Sequence, residues 1–171
     1  VSSNGKQAMI DHARALKARG VPTYIDPSHG LPLLERDDLI ELIDGAAGYF
    51  VNDYEWSLTL ERTGLSEQEI EERCGAVIIT SGPKGSEVRA RGEHFEAPPV
   101  APSKLVDPTG CGDAFRAGFL YAVSKGHSLE EAARMGNLYG SLQVAVAGTQ
   151  SLRIDLDAFR AHYAEAFGAP F

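Results

Sequence analysis

Short, fully apolar runs alternate along this chain with longer stretches in which apolar residues recur every three or four positions. Lys6 to Arg19 places Ala8, Met9, Ala13 and Leu16 on one face and stops at Gly20, which predicts an amphipathic helix with a glycine end. Val21-Pro-Thr-Tyr-Ile25 reads as a short strand leading into Asp26-Pro27. Asp37 to Ala46 predicts a second helix with Leu39, Ile40, Leu42 and Ile43 inward. Tyr49-Phe-Val51 is a second buried strand running into Asn52-Asp53, and Tyr54 to Arg62 is helical. Ser66-x-x-Glu69 is a capping box that opens a further short helix. Ala76-Val-Ile-Ile-Thr80 is the clearest strand, continuous and β-branched between Gly75 and Ser81-Gly82. Gly85 to Ala90 and His94 to Ala97, joined around Arg91-Gly92-Glu93, read as a hairpin. Pro98, Pro99 and Pro102 then interrupt regular structure. Ser128-x-x-Glu131 caps a helix reaching Val146, and Asp155 caps a last one ending near Gly168.

Helices alternating with short apolar strands predict an α/β fold whose mostly parallel sheet is covered on both faces. In such sheets ligands bind beyond the carboxyl ends of the strands. Asp26, Asn52, Thr80-Ser81-Gly82 and Asp107 all fall just past predicted strand ends, so the pattern predicts that these polar exits converge on one edge. There is no internal repeat and no low-complexity linker, and 171 residues suffice for one core.

Charge narrows the partners. The chain carries 16 Lys and Arg against 24 Asp and Glu, a net charge of −8, with no basic cluster. That argues against nucleic acid and against anionic membrane surfaces. It leaves open an anionic small molecule, because loop amides bind phosphate without surplus lysines. Cys74 and Cys111 suggest neither a disulfide framework nor a metal cluster, and both read as thiols in a reducing compartment. No apolar run approaches membrane-spanning length, which makes the cytoplasm the expected location. The opening Val1-Ser-Ser-Asn-Gly5 lacks an initiator methionine and reads as the interior of a longer protein.

The chemistry concentrates in Val106-Asp-Pro-Thr-Gly-Cys-Gly-Asp113-Ala-Phe-Arg-Ala-Gly-Phe119. Pro108 sets a turn, and Gly110 and Gly112 let the backbone bend where a Cβ would clash. The glycine turn feeds a helix, so backbone N–H groups face outward at the positive end of its dipole, a ready site for a phosphate. Asp113, in the first turn, is placed to touch whatever attacks that phosphate. The plain alternative is an acid that merely stabilises a helix start.

In order and spacing, three segments resemble the ribokinase-like PfkB family of carbohydrate and nucleoside kinases. Asp107-Pro-Thr-Gly-Cys-Gly-Asp113 with Ala114-Phe-x-Ala-Gly118 is similar to its C-terminal signature, Asn52-Asp-Tyr-Glu55 to its Asn-x-x-Glu motif, and Thr80-Ser-Gly-Pro-Lys-Gly85 to its nucleotide-side turn. Asp26-Pro27 through Gly30-Leu-Pro32 and Val51 through Trp56 look most like bacterial adenosine-kinase-like proteins. The resemblance covers nearly the whole chain. It implies a three-layer α/β/α sandwich of which residues 1–171 are the C-terminal nucleotide-binding and catalytic part, without the N-terminal portion and the small β-sheet lid.

It also implies ATP-dependent transfer of the γ-phosphoryl group to a hydroxyl of a nucleoside, adenosine in the finer reading. The alternatives are a sugar acceptor or a non-catalytic nucleotide-binding fragment. Asp113 would be the general base. A carboxylate is a weak base, which is tolerable because phosphoryl transfer depends mostly on positioning and charge stabilisation. Gly110, Cys111 and Gly112 would form the anion hole through their amides. Cys111 then needs only to be small and is not read as a nucleophile.

Asn52 and Glu55 would act through Mg²⁺ and its water network, although the pair equally reads as a helix N-cap and its capping partner. Thr80, Gly82 and Gly85 would line the nucleotide, or simply turn the chain into the next strand. Asn137 matches a position near the adenine, or is ordinary polarity on a helix face. Asp107 and Thr109, with carbonyls around Val144 to Gly148, match places where relatives hold a monovalent cation such as K⁺, and Thr109 would also face the nucleotide. Arg116, one turn after Asp113, could reach phosphate or acceptor, or be a solvated helix arginine. The five histidines show no metal spacing, and Tyr49, Phe50 and Trp56 read as core. A homodimer sharing a lid strand is a family option.

Overall fold

The structure, a computed structural model, describes residues 1–2 and 5–171, so that Ser3 and Asn4 of the opening segment lie outside it. It divides into two compact units, Val1–Ser81 with Glu87–Phe95 and Gly82–Ser86 with Glu96–Phe171. Five strands, β1 (Tyr24–Ile25), β2 (Gly48–Asn52), β3 (Val77–Thr80), β4 (Ser86–Ala90) and β5 (Glu93–Ala97), form one sheet in sequential order. β1 pairs with β2, and β2 with β3, in parallel. Register sets Asn52 beside Thr80 at the carboxyl ends of β2 and β3.

In the first unit the apolar runs behave as the pattern predicts. Tyr49, Phe50 and Val51 of β2 and Val77, Ile78 and Ile79 of β3 are all buried, the continuous burial that parallel strands require. Helices α1 (Lys6–Ala18), α2 (Arg36–Ile43) and α3 (Asp53–Thr63) bring Met9, Ile10, Leu39, Leu42, Ile43 and Trp56 into the same cluster. The short α4 (Glu67–Glu71) adds Ile70. Burying aliphatic side chains of this size stabilises by about 1.5–3 kcal/mol each, before the cost of ordering them. Two arginines tie loops across it: Arg62 Nη1 donates to the Leu34 carbonyl at 2.9 Å and Arg36 Nε to that of Thr63 at 2.8 Å.

Three elements differ from the sequence pattern. The first strand is cut to two residues, and the Thr23 hydroxyl turns back to the Val21 carbonyl just ahead of it. The second helix ends at Ile43, because Asp44 leaves helical geometry and Gly45 takes φ +70°. Ser28–Leu33 is a 3₁₀ helix with Gly30 and Leu31 buried. With three residues per turn and Pro32 inside, it carries no 3.6-residue repeat to read. The hairpin between β4 and β5 is as expected: Arg91 and Gly92 both have positive φ, as a two-residue primed turn demands.

The second unit is built on α5 (Cys111–Ser124), α6 (Leu129–Val144) and α7 (Leu156–Phe167). α5 and α6 cross at contact distance through glycines. A Cβ on Gly118 would lie 2.8 Å from the Met135 carbonyl oxygen, and one on Gly136 would lie 2.7 Å from the Phe115 ring. Phe119, Ala122, Ala132 and Met135 are fully buried in this unit. Edge-to-face contacts among Phe159, Tyr163 and Phe171 pack the α7 region. The caps fall where the sequence places them, with Ser128 and Asp155 accepting from the third residue of their helices and Gly168 in the left-handed region. Among the described residues no helix is long and apolar enough to cross a membrane.

Candidate active site

In the second unit the segment ahead of α5 is zipped to the exit of α6. The N–H groups of Val106 and Asp107 both donate to the Val144 carbonyl, at 2.9 and 3.1 Å. The Asp107 carboxylate spans the two loops, accepting from Thr109 N–H through one oxygen and from Gly148 N–H through the other, each at 2.9 Å. The Thr109 hydroxyl first, then the Gly148 and Thr109 N–H groups, hold this carboxyl below the usual aspartate range. Gln143, a polar residue on the buried face of α6, donates to the Gly148 carbonyl at 2.7 Å. The sequence reading of the chain missed that brace. Its signal is a glutamine at a position where the helical period expects an apolar side chain.

Asp107 and Thr109 therefore close the loop on themselves. A cation at this point would depend on the remaining lone pairs of Asp107 and of the loop carbonyls, since those oxygens already take protein N–H groups. Among the described residues no group of three or more His, Cys, Asp or Glu is arranged to hold a metal ion.

The turn itself is a change of hand. Gly110 has φ +81° and is the N-cap of α5, with no side chain to cap the helix. Its missing Cβ also makes room for Thr149, which an added methyl would meet at 3.1 Å. The Gly110 carbonyl accepts from Ala114 N–H at 2.9 Å, starting the helical ladder, while Cys111 N–H makes a longer 3.2 Å bond back to the Pro108 carbonyl. The amide of Cys111 is thus shared within the turn, and a bound oxyanion would compete for it. The amides that follow, of Gly112 and Asp113, belong to the first helical turn, whose donors have no intrahelical acceptor.

Gly112 does not serve the bend that the sequence suggests, for its φ is not positive. Its open side is filled instead: a Cβ there would lie 2.8 Å from Arg116 Nη1. Asp113 extends from the same turn with its side chain 80% exposed, and Arg116 Nη1 reaches its Oδ1 at 3.3 Å. Cys111 is half-buried, and burial first, then the charge of Asp107, push its thiol above the usual range. A raised thiol is the opposite of an activated nucleophile.

Gly85, also in this unit, has φ +95°, and an added Cβ would collide with the Ala97 carbonyl oxygen. Gly82, at φ +52°, accepts from Gly85 N–H at 3.1 Å. Asn137 on α6 donates from Nδ2 to the Ala97 and Pro98 carbonyls, both at 3.0 Å. Gly85 and Asn137 thus converge on the Ala97–Pro98 peptide. Asn137 is a tie between α6 and the end of β5, more than ordinary helix-face polarity.

In the first unit Asn52 and Glu55 form a reciprocal capping box. Asn52 Oδ1 accepts from Glu55 N–H at 2.8 Å, and Glu55 Oε2 accepts from Asn52 N–H at 2.9 Å. One oxygen of the Glu55 carboxylate is thus committed to the box. A single carboxylate is compatible with Mg²⁺, which keeps several waters and takes much of its coordination from substrate phosphates. Thr80 Oγ1 donates to the Val51 carbonyl at 3.4 Å. Asp26 is buried at the end of β1. Tyr49, Phe50 and Trp56 are core residues as expected. The Tyr49 hydroxyl pairs with that of Thr59 at 2.8 Å, and burial pushes its ionisation far up.

A mostly parallel sheet and, further along the chain, a glycine turn that opens a helix with an acid in its first turn define an α/β protein with a feature that suits anions. The chain matches the pfkB family of carbohydrate kinases over residues 1–155 and belongs to that family. Its fold is ribokinase-like. It superposes with a TM-score of 0.97 on Burkholderia thailandensis nucleoside kinase, solved with inosine and with ADP-inosine, at 39% identity over 99% of this chain. It is 34% identical over 126 residues to a Methanocaldococcus jannaschii nucleoside kinase, 74% of this chain. It also superposes on adenosine kinase from Sinorhizobium meliloti with a TM-score of 0.73, at 25% identity over 94% of this chain. The chain spans 57% of the first of these proteins, 42% of the second and 50% of the third, about half the length of its relatives.

Proposed function

We propose that this chain carries the nucleotide-binding and catalytic machinery of an ATP-dependent phosphotransferase whose acceptor is a nucleoside hydroxyl, with adenosine the first acceptor to test. The observation that carries this reading is the start of α5, an uncapped helix N-terminus turned by Gly110 and followed three residues later by the exposed Asp113. An amide-lined turn offsets charge on a transferring phosphoryl group, and an exposed carboxylate beside it can accept a proton. The nucleoside kinases among the relatives favour a nucleoside over a sugar, which the family description also allows.

In this reading Asp113 takes the proton from the acceptor hydroxyl as its oxygen bonds to the γ-phosphorus, and the bond to the bridging oxygen breaks to release ADP. The amides of Gly110 and Gly112, joined by that of Cys111 when it leaves Pro108, hold the phosphoryl oxygens, with the Asp113 amide next in the turn. Mg²⁺ would supply charge neutralisation on the phosphates, with Glu55 and Asn52 the residues to hold it through water. Thr80, Gly82, Gly85 and Asn137 shape the nucleotide side, Asn137 by fixing the Ala97–Pro98 carbonyls. Thr109 and Asp107 brace the turn. A K⁺ requirement is a separate proposal, checked by replacing K⁺ with a bulky organic cation in the assay.

The test is ADP release by the full-length protein with ATP and Mg²⁺, offering adenosine, inosine, ribose and a sugar phosphate in parallel. Asp113→Asn should lower nucleoside-dependent turnover by roughly a hundred- to ten-thousand-fold while ATP affinity stays nearly the same. Turnover with ribose alone would reassign the acceptor to a sugar. ATP binding without turnover on any acceptor would leave a nucleotide-binding module.

A further inference from the structure

Arg116 occupies an unusual place for a helix arginine. Its side chain is only 22% exposed, whereas Asp113, its partner one turn earlier, is 80% exposed. The guanidinium lies over the first turn of α5, in the space left by the missing side chain of Gly112. A Cβ built there would be 2.8 Å from Nη1, 3.6 Å from Cζ and 3.7 Å from Nη2. Nη1 reaches Asp113 Oδ1 at 3.3 Å. One member of the pair is thus largely buried and the other exposed.

We propose that Arg116 is the positioning residue for Asp113: seated over Gly112, it restrains the carboxylate by one oxygen and leaves the other to accept the substrate proton. The inference rests on the phosphotransfer reading above. Two physical points separate it from an ordinary surface pair. An exposed carboxylate samples several rotamers, and freezing it beforehand removes entropy that the reaction would otherwise have to supply. In an ordinary exposed i,i+3 pair most of the Coulomb gain is lost to ordering two long side chains, whereas Arg116 is already held by packing, so only Asp113 remains to be ordered. Lysine, a compact point charge on a flexible stem, would hold the carboxylate less well than the planar guanidinium.

The experiment compares Arg116→Met, which keeps a long apolar stem, with Arg116→Lys, Asp113→Asn and the Arg116→Met/Asp113→Asn double variant, all in the full-length protein. The readouts are kcat, KM for the nucleoside, ATP affinity by calorimetry and thermal stability. Arg116→Met should lower kcat by roughly ten- to a hundredfold, the scale of a misplaced catalytic group. Acceptor KM, ATP affinity and melting temperature should stay close to the parent. Arg116→Lys should restore part of the loss, free guanidinium ion should rescue Arg116→Met, and the double variant should be no slower than Asp113→Asn. Normal kcat in Arg116→Met, with Asp113→Asn inactive, overturns this inference and leaves the phosphotransfer reading standing. Loss of ATP affinity together with kcat overturns it as well, by making Arg116 a phosphate ligand. A parent protein that transfers phosphate to no nucleoside, or an Asp113→Asn variant at full rate, overturns the phosphotransfer reading and the inference with it.

Discussion

Helices α3 and α5 each begin at a predicted functional motif, and they begin in opposite ways. α3 is closed by its own side chains, with Asn52 and Glu55 exchanging hydrogen bonds with each other's backbone. α5 starts on Gly110, in the left-handed region and with nothing on its side to give. α4, α6 and α7 follow α3, each with a side-chain oxygen accepting from its third residue. A capped start is a stability device, since the cap satisfies a donor that would otherwise go without. A start without a cap forgoes that contribution, and its donors remain open to turn carbonyls, water or a ligand. α1 also starts on a glycine without a side-chain cap. What sets α5 apart is therefore the left-handed Gly110 together with the exposed acid in its first turn. On the proposed reading, α3 is a start where cap and function would share the same residues.

The largest effect expected from breaking this contrast is at Gly110. Gly110→Ala forces a Cβ into a positive-φ position and against Thr149, and should cost about 1–2 kcal/mol, read as a lower denaturant midpoint with an unchanged slope. Nucleotide affinity should fall in the same variant, because the amides turn with the backbone. Next comes the capped start. Asn52→Ala should cost about 1 kcal/mol of stability, and Asn52→Asp should recover most of it. If Asn52 acts only as a cap, turnover per folded molecule in Asn52→Asp will match the parent. A loss there assigns it a role toward Mg²⁺ as well.

Asp107 sharpens the comparison through pH. Its carboxyl is depressed in the folded state, so its contribution is fully present above the unfolded value, near 4. It is lost as pH falls through the folded value. The parent should therefore lose stability on acidification to a greater degree than Asp107→Asn, and the two denaturation curves should approach each other toward low pH. The smallest effect is at Gly112. Gly112→Ala meets only the far end of the Arg116 side chain, so stability should change by no more than about 0.5 kcal/mol. Equal stability losses in Gly110→Ala and Gly112→Ala would erase the distinction drawn between the two glycines.

Much of this molecule is written in local pattern. The apolar runs at Tyr49–Val51 and Val77–Ile79, the capping boxes at Ser66 and Ser128, the Arg91-Gly92 turn and the α5 glycine turn all follow from period, cap and turn chemistry. These depend on neighbours a few residues apart. Candidate chemistry was legible for the same reason, because Gly110 to Asp113 is one contiguous segment. The roles within it were less so. From the chain alone Gly110 and Gly112 are the same residue, yet one supplies a backbone hand and the other a space for Arg116.

What tertiary structure alone decided are the contacts between residues distant in the chain. Asp107 reaches Gly148, 41 positions away, and Asn137 reaches Ala97, 40 positions away. No periodicity encodes such pairings, because they join a loop to a loop and a helix to a strand end that meet only once the chain has folded. Amino-acid order thus determined the elements, the family and the segment that carries the acid. Packing decided which side chains brace that segment and which remain exposed to act, because burial and partner geometry exist only once the chain is folded.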